Sequence, residues 1–374
     1  MKKITALIFI FLLILHSVSF ADNTNTEINS EEMKLERGEV TDVVTDVKDS
    51  EINTGEYLDI QSQVVKVKVL TGKYKGEKFI IDNGLSGNMF YDIKVKKGDK
   101  VILGINEFKG HAPEVVITDF TRDTYIMYIL IAFILLLLIV GRLKGIKSLI
   151  TLLVTGAAIF KVLLPLILRG YSPIWVTVLT TTIVTIITFL IIGGFNIKSA
   201  SAIIGTVSGV VIAGALAYIV GNAAKLTGLN SEEGMMLMHI PQKINFDFQG
   251  LLFAGIIIGT LGAVMDVSMS ISSSMYEMRT LHPEVSPKEL MKSGLNVGKD
   301  VMGTMSNTLI LAYTGSSLPL LLLFMAYETS LVKVLNMNLI ATEIVRAFVG
   351  SIGLIIAIPI TTLATGLILK LSKK

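Results

Sequence analysis

The chain of 374 residues has no cysteine, one tryptophan, eight prolines and four histidines. Without cysteine there is no disulfide framework, no thiol nucleophile, no thiolate metal site and no iron–sulfur cluster. The histidines, His16, His111, His239 and His282, fall in four separate regions and cannot assemble one metal site. Charge is scarce too, at 17% of residues against about 25% in soluble chains, and the mean hydropathy is +0.68. A soluble globular protein is thereby excluded. The charge that exists is unevenly placed. Residues 22–124 hold 20 acids and 14 bases, net −6, whereas the stretch after Thr124 holds 10 acids and 17 bases, net +7. The chain divides into a polar third and a remainder that dissolves in membrane.

Lys2 and Lys3 precede an apolar run from Ile4 to Leu15, followed by Ser19-Phe20-Ala21. A dozen apolar residues fall short of the roughly 20 that a spanning helix needs, so residues 1–21 are expected to be a secretory signal, with an uncleaved anchor as the rival. Residues 22–36, rich in Asn, Thr, Glu and Ser, are expected to form a disordered leader. From Arg37 to residue 121 the period becomes two. Val65, Val67 and Val69 share one strand face, and Lys66 and Lys68 share the other. About five short strands at ten-residue spacing predict a small β-rich, OB-like closed barrel.

From residue 125 to the C-terminus, hydropathy predicts an α-helical membrane bundle of about seven spans, near 125–141, 149–168, 173–194, 200–220, 248–271, 301–325 and 340–369. With the barrel outside, the inner loops and tail collect eleven Lys and Arg. The outer loops hold only Arg169, Lys225, Lys243 and Lys333. That bias is the positive-inside signature, and it agrees with an exported N-terminus. The expected location is the cell membrane, multi-pass, with the β domain extracytoplasmic and the C-terminus cytoplasmic. Spans two to four and five to seven have the arrangement that an inverted repeat would have, without a sequence match between the halves.

Polar groups within hydrocarbon need a reason. Asp266, Ser270, Ser273 and Glu277 lie on one helical face, an acid and hydroxyl stripe suited to a hydrated path, with Asp266 about five residues from the inner end of its span. Thr304, Asn307 and Thr308 begin the sixth span at about the same depth, so Asn307 meets Asp266 if the helices are neighbours. Gly315 to Pro319, with Ser316 and Ser317 between, mark a kink or a broken helix. Glu343 and Arg346, three apart, form a charge pair on the last helix. Gly205 and Gly209, and Gly255 and Gly259, have the spacing of close helix packing. Lys161, four residues before Pro165, snorkels towards the surface.

Catalytic patterns are missing: there is no H-E-x-x-H helix, no phosphate-cradling glycine loop, and no second intramembrane aspartate beside Asp266. Neither an enzyme nor a cofactor is expected. Basic residues are dispersed over loops, which argues against nucleic acid.

The run Gly259-Thr260-Leu261-Gly262-Ala263-Val264-Met265-Asp266-Val267 is joined by Ser293-Gly294, Gly298-Lys299-Asp300, Thr304 and Asn307-Thr308-Leu309. To these add Leu226-Thr227-Gly228-Leu229 and Glu343-Ile344-Val345-Arg346. Together they resemble the YibE/F family of bacterial multi-spanning membrane proteins over nearly the whole chain. Where that family often pairs two carboxylates, this chain has Met265-Asp266. The resemblance implies an integral plasma-membrane protein of permease type, and it brings no substrate. The leading expectation is a transporter or pore for a small solute or ion, lined by Asp266, Ser270, Ser273, Thr304, Asn307 and Thr308. The alternative is a membrane scaffold whose outer β domain binds a protein partner.

Overall fold

The computed structural model describes residues 33–46, 61–86, 91–107, 111–229, 232–239, 245–328 and 330–371. The expected signal and most of the expected leader lie outside the described residues. The chain divides into two compact units, with the division between Leu136 and Leu137, and each is described by itself.

The first unit is a five-stranded antiparallel sheet of β1 (Lys34–Asp46), β2 (Gln61–Val69), β3 (Lys78–Leu85), β4 (Lys100–Asn106) and β5 (Glu114–Phe120), in the order β3-β2-β1-β4-β5. β1 begins inside the expected leader. The polar composition there is overridden because Lys34, Leu35 and Glu36 pair with Ile105, Gly104 and Leu103 of β4. Val65, Val67 and Val69 are fully buried with Val40, Val101 and Leu103, so the period-two face is the core face. Register shifts at Val40/Asp42 and Val43/Thr45 bulge β1 and increase its coiling. β3 and β5 approach each other without a hydrogen-bonded ladder between them among the described residues. The expected closed barrel is therefore a half-barrel. The segment before β4 is held against β2 and β3 by two side-chain amides. Gln63 Nε2 donates to Val95 O at 2.9 Å, and Val95 N donates back to Gln63 Oε1 at 3.1 Å. Asn83 Nδ2 donates to Ile93 O at 2.8 Å.

The helices are α1 (Asp123–Ala158), a π turn (Ile159–Leu163) continuing into α2 (Leu164–Leu168), α3 (Pro173–Gly193), α4 (Ile197–Ala223), α5 (Glu232–Leu237), α6 (Phe248–Leu281), α7 (Pro287–Ser316), α8 (Leu318–Ala326), α9 (Leu331–Asn336) and α10 (Asn338–Leu371). Among the described residues five helices are long and apolar enough to cross a membrane, or six with the bent pair α7 and α8. The longest, 46 residues from Asp123 to Leu168, contains the first two of the expected seven spans. It breaks at Arg142, where φ is 47° and ψ is −126°. A Cβ on Gly145 would lie 2.1 Å from Leu137 O, an approach that a straight helix forbids, since eight residues span about 12 Å. The chain turns sharply there, and Gly145 is needed for it.

The fifth apolar stretch lies within a longer helix, and the sixth runs from within another into α8. The expected loop 272–300 is helical apart from the turn between Leu281 and Pro287. Met275, Leu290 and Gly294 are buried, so packing keeps these polar stretches helical. A capping box starts α7: Glu289 N donates to Ser286 Oγ at 3.2 Å, and Ser286 N donates to Glu289 Oε2 at 3.2 Å.

The centre of the bundle is the crossing of α4 and α10. A Cβ on Gly209 would lie 2.9 Å from Gly353 O, and one on Gly353 would lie 2.9 Å from Gly209 O. Gly205 lies against Thr361, and Ala213 against Gly353, so the two helices are antiparallel. The same contacts make α6 antiparallel to α4, through Gly214–Ile257 and Gly221–Phe253. They make α7 antiparallel to α10, through Gly294–Thr362 and Gly298–Ile358. Directions therefore alternate along the chain, as successive crossings require.

Gly209→Val forces a branched side chain into this backbone contact. The expected destabilisation is about 1–3 kcal/mol, read as a lower apparent melting temperature in detergent. Gly156→Ala, whose Cβ meets nothing within 4 Å, should leave the melting temperature unchanged. An equal response from both variants would refute the tight crossing.

Candidate functional site

Val264 Cγ1 lies 3.0 Å from where a Gly209 Cβ would be, and Ser268 Oγ lies 3.2 Å from where a Gly205 Cβ would be. Asp266, between them, is therefore level with residues 205–209 of α4, within one turn of the middle of that 27-residue helix. α6 continues fifteen residues beyond Asp266, to Leu281. The Asp266 side chain is exposed, as are those of Thr304, Asn307 and Thr308, while Ser270 and Ser273 are partly exposed. Ile271 packs on Gly298 and Met275 on Gly294, which puts Asp266 level with Gly303 and Thr304 on the adjacent helix. The six candidate path residues thus lie on open faces of two neighbouring helices. Thr304 donates to Val301 O at 3.0 Å and Thr308 to Thr304 O at 2.8 Å, so both hydroxyl protons are used within α7.

The hydroxyls that the bundle does bury are others. Thr206, Ser268, Ser272, Thr361 and Thr365 are all fully buried. Ser272 Oγ donates to Lys198 O at 2.7 Å, and the hydroxyls of Ser268 and Thr361 are 3.2 Å apart. This seam joins α4, α6 and α10. Threonines at 361, 362 and 365 in an apolar run are the signal that could have revealed it.

Two regions that the sequence separates come together at the α7–α8 break. Gly315 and Ser316 are still helical, and the chain bends by 62° at Ser317, with Pro319 in the first turn of α8. A cavity of about 340 Å³ is lined there by Tyr313, Thr314 and Ser317 together with Glu343 of α10. Arg346 Nη1 pairs with Glu343 Oε1 at 3.0 Å, their side chains being 28% and 19% exposed. The guanidinium carbon lies 5.7 Å from the Tyr313 ring centroid, within cation–π range. Arg346 Nε is buried without a hydrogen-bond partner among the described residues. The charge pair is thus half-buried, and its Glu343 borders a mostly apolar cavity. A second cavity, about 490 Å³ and mostly apolar, is lined by Trp175, Tyr218 and Asp247 among others. Asp247 is already engaged, accepting from Gly250 N at 2.7 Å to cap α6. Lys161 is exposed within the π turn.

Long apolar helices with charged and amide groups at bundle depth, preceded by a half-barrel sheet, define an integral membrane protein with an N-terminal β unit. The chain belongs to the YibE/F family. The family model described as YibE/F-like protein matches residues 129–371, and that of the YibE/F family N-terminal domain matches residues 33–120. No curated protein and no solved structure matches the chain.

Glu343→Gln leaves a half-buried guanidinium without its counter-charge. The expected destabilisation is roughly 1–3 kcal/mol, less than for a fully buried pair. The double variant Glu343→Gln/Arg346→Gln should recover most of it. A thermal-unfolding double-mutant cycle measures the coupling, and strictly additive effects would show that the pair is not an interacting unit.

Proposed function

We propose that the protein is a permease for a small polar solute or ion, with its β unit outside the cell membrane and its C-terminus in the cytoplasm. The observation that carries this reading is the cavity at the helix break. The bent helix and Glu343, the acid of a half-buried ion pair, border a space large enough for a small solute. Broken helices beside charged groups are a recurrent construction of transport sites, and a half-buried ion pair in a membrane helix has a cost that function can justify. Asp266, Ser270, Ser273, Thr304, Asn307 and Thr308 extend the polar surface away from the break towards the centre of the bundle. The orientation is supported by the bias of Lys and Arg between alternate loops and by the alternating helix directions.

Proteoliposomes containing the purified chain, screened over inorganic ions, amino acids and small anions, test the proposal. The expected result is flux above empty liposomes that Glu343→Gln reduces tenfold or more, with the variant still inserted and folded. Absence of flux for every solute from intact protein would overturn the permease reading. It would favour the alternative, a scaffold that binds a protein partner through its β unit.

A further inference from the structure

The cavity of about 490 Å³ shares no lining residue with the one that Glu343 borders. Its polar groups are gathered at one end. Ser172 and Asp247 are the N-cap residues of α3 and α6, Trp175 lies in the first turn of α3, and Tyr218 is five residues from the end of α4. Further along the helices the wall is aliphatic, with Val178 six residues beyond Ser172, about 9 Å at 1.5 Å per residue, and Val211 twelve residues before the end of α4. Trp175 and Tyr218 are 75% and 54% exposed, so both rings keep open faces. Tyr218 is held by the buried Phe253, edge to face with centroids 6.1 Å apart. Asp247 is the one charged residue in the lining among the described residues, and no cationic side chain among them pairs with it. Its cap bond from Gly250 N occupies one acceptor site of the roughly four that a carboxylate has. The α6 N-terminus offsets only about half a charge, so this end of the cavity stays negative.

We propose that this cavity binds a dissolved organic cation that carries an apolar chain, an alkylammonium, with the ammonium at the Trp175, Tyr218 and Asp247 end and the chain along Val178 and Val211. The faces of aromatic rings attract cations, tryptophan most strongly, and quaternary ammonium groups are recognised in this way. The carboxylate adds full charge complementarity, and the aliphatic wall takes the chain out of water. An anion of the same shape meets Asp247 as a like charge. A sugar needs polar partners along its whole length, and the lining offers them at one end only. A plain hydrocarbon tail leaves the carboxylate and the ring faces without use. The proposal goes beyond the permease reading, because it concerns a different cavity and requires binding, not movement.

Trp175 is the only tryptophan in the chain, so its emission reports on this cavity alone. The full chain, purified in an uncharged maltoside detergent that brings no competing ammonium group, is titrated with hexyltrimethylammonium, with hexanol and with hexanoate. A saturable change in emission is expected for the cation at a concentration at least tenfold below that for hexanol, and none for hexanoate. Asp247→Asn should raise the half-saturating concentration of the cation fivefold or more at an unchanged melting temperature, since asparagine caps a helix as well as aspartate does. Tyr218→Leu should weaken the cation and leave hexanol where it was. Titration calorimetry on the same samples detects binding to which the emission is blind. Equal half-saturation for the cation and hexanol would overturn the proposal and leave an apolar pocket suited to a lipid chain. So would tighter binding of hexanoate, an Asp247→Asn variant that binds like the native chain, or no saturable signal by either method. Because neither readout contains flux, binding without transport of any solute removes the permease reading and leaves this one standing. Transport without binding here does the reverse.

Discussion

Between helices surrounded by lipid there is little water to expel, so their association depends on how closely the backbones can approach. At Gly209 and Gly353 the approach reaches the limit, with each glycine facing the other's carbonyl oxygen and Ala213 and Ala357 closing the contact on either side. The rest of the bundle is arranged around that crossing. α6 sets Val264 against Gly209 and Ser268 against Gly205, and α7 reaches α10 through Gly294 and Gly298. The glycine at 209 is part of a pattern that also includes Gly205, and both positions are used for packing, not for a turn.

A centre built so tightly admits hydroxyls, which can return their proton to a carbonyl of their own helix, as Thr361 does to Ala357 O at 2.7 Å. It does not admit a carboxylate or a guanidinium, whose hydrogen bonds such a seam cannot satisfy. The ionic groups of the spans are accordingly displaced. Asp266 goes to an open face, and Glu343 with Arg346 goes to a cavity at one end of α10. The polar residues are thus divided, the short neutral ones inside and the charged ones away from the tight seam.

Much of this was legible in the sequence where a single period governs. The alternation of Val65, Val67 and Val69 gave the core face of β2, and the apolar runs located the helices of the bundle. Helix boundaries are less legible where charged residues continue a helix. Lys288, Lys292 and Lys299 suggested a connection, but they lie on the outer side of α7, and the Ser286-x-x-Glu289 capping signature that begins this helix was there to be read. Sheet closure was misjudged because strand spacing says nothing of whether the edge strands hydrogen-bond. The meeting of Ser317 with Glu343 depends on tertiary packing between segments 26 positions apart in the chain, which no local pattern encodes.

The bend at Ser317 has a mechanical side. α8, Leu-Pro-Leu-Leu-Leu-Leu-Phe-Met-Ala, is apolar all round and has no buried residue. Nine residues inclined at 62° rise only about 6 Å along the direction of α7, at 1.5 Å per residue. Such a segment is too short to cross a bilayer by itself, and its Leu321 forms part of the wall of the cavity that Glu343 borders, so the inclination of α8 to α7 helps to set the shape of that cavity.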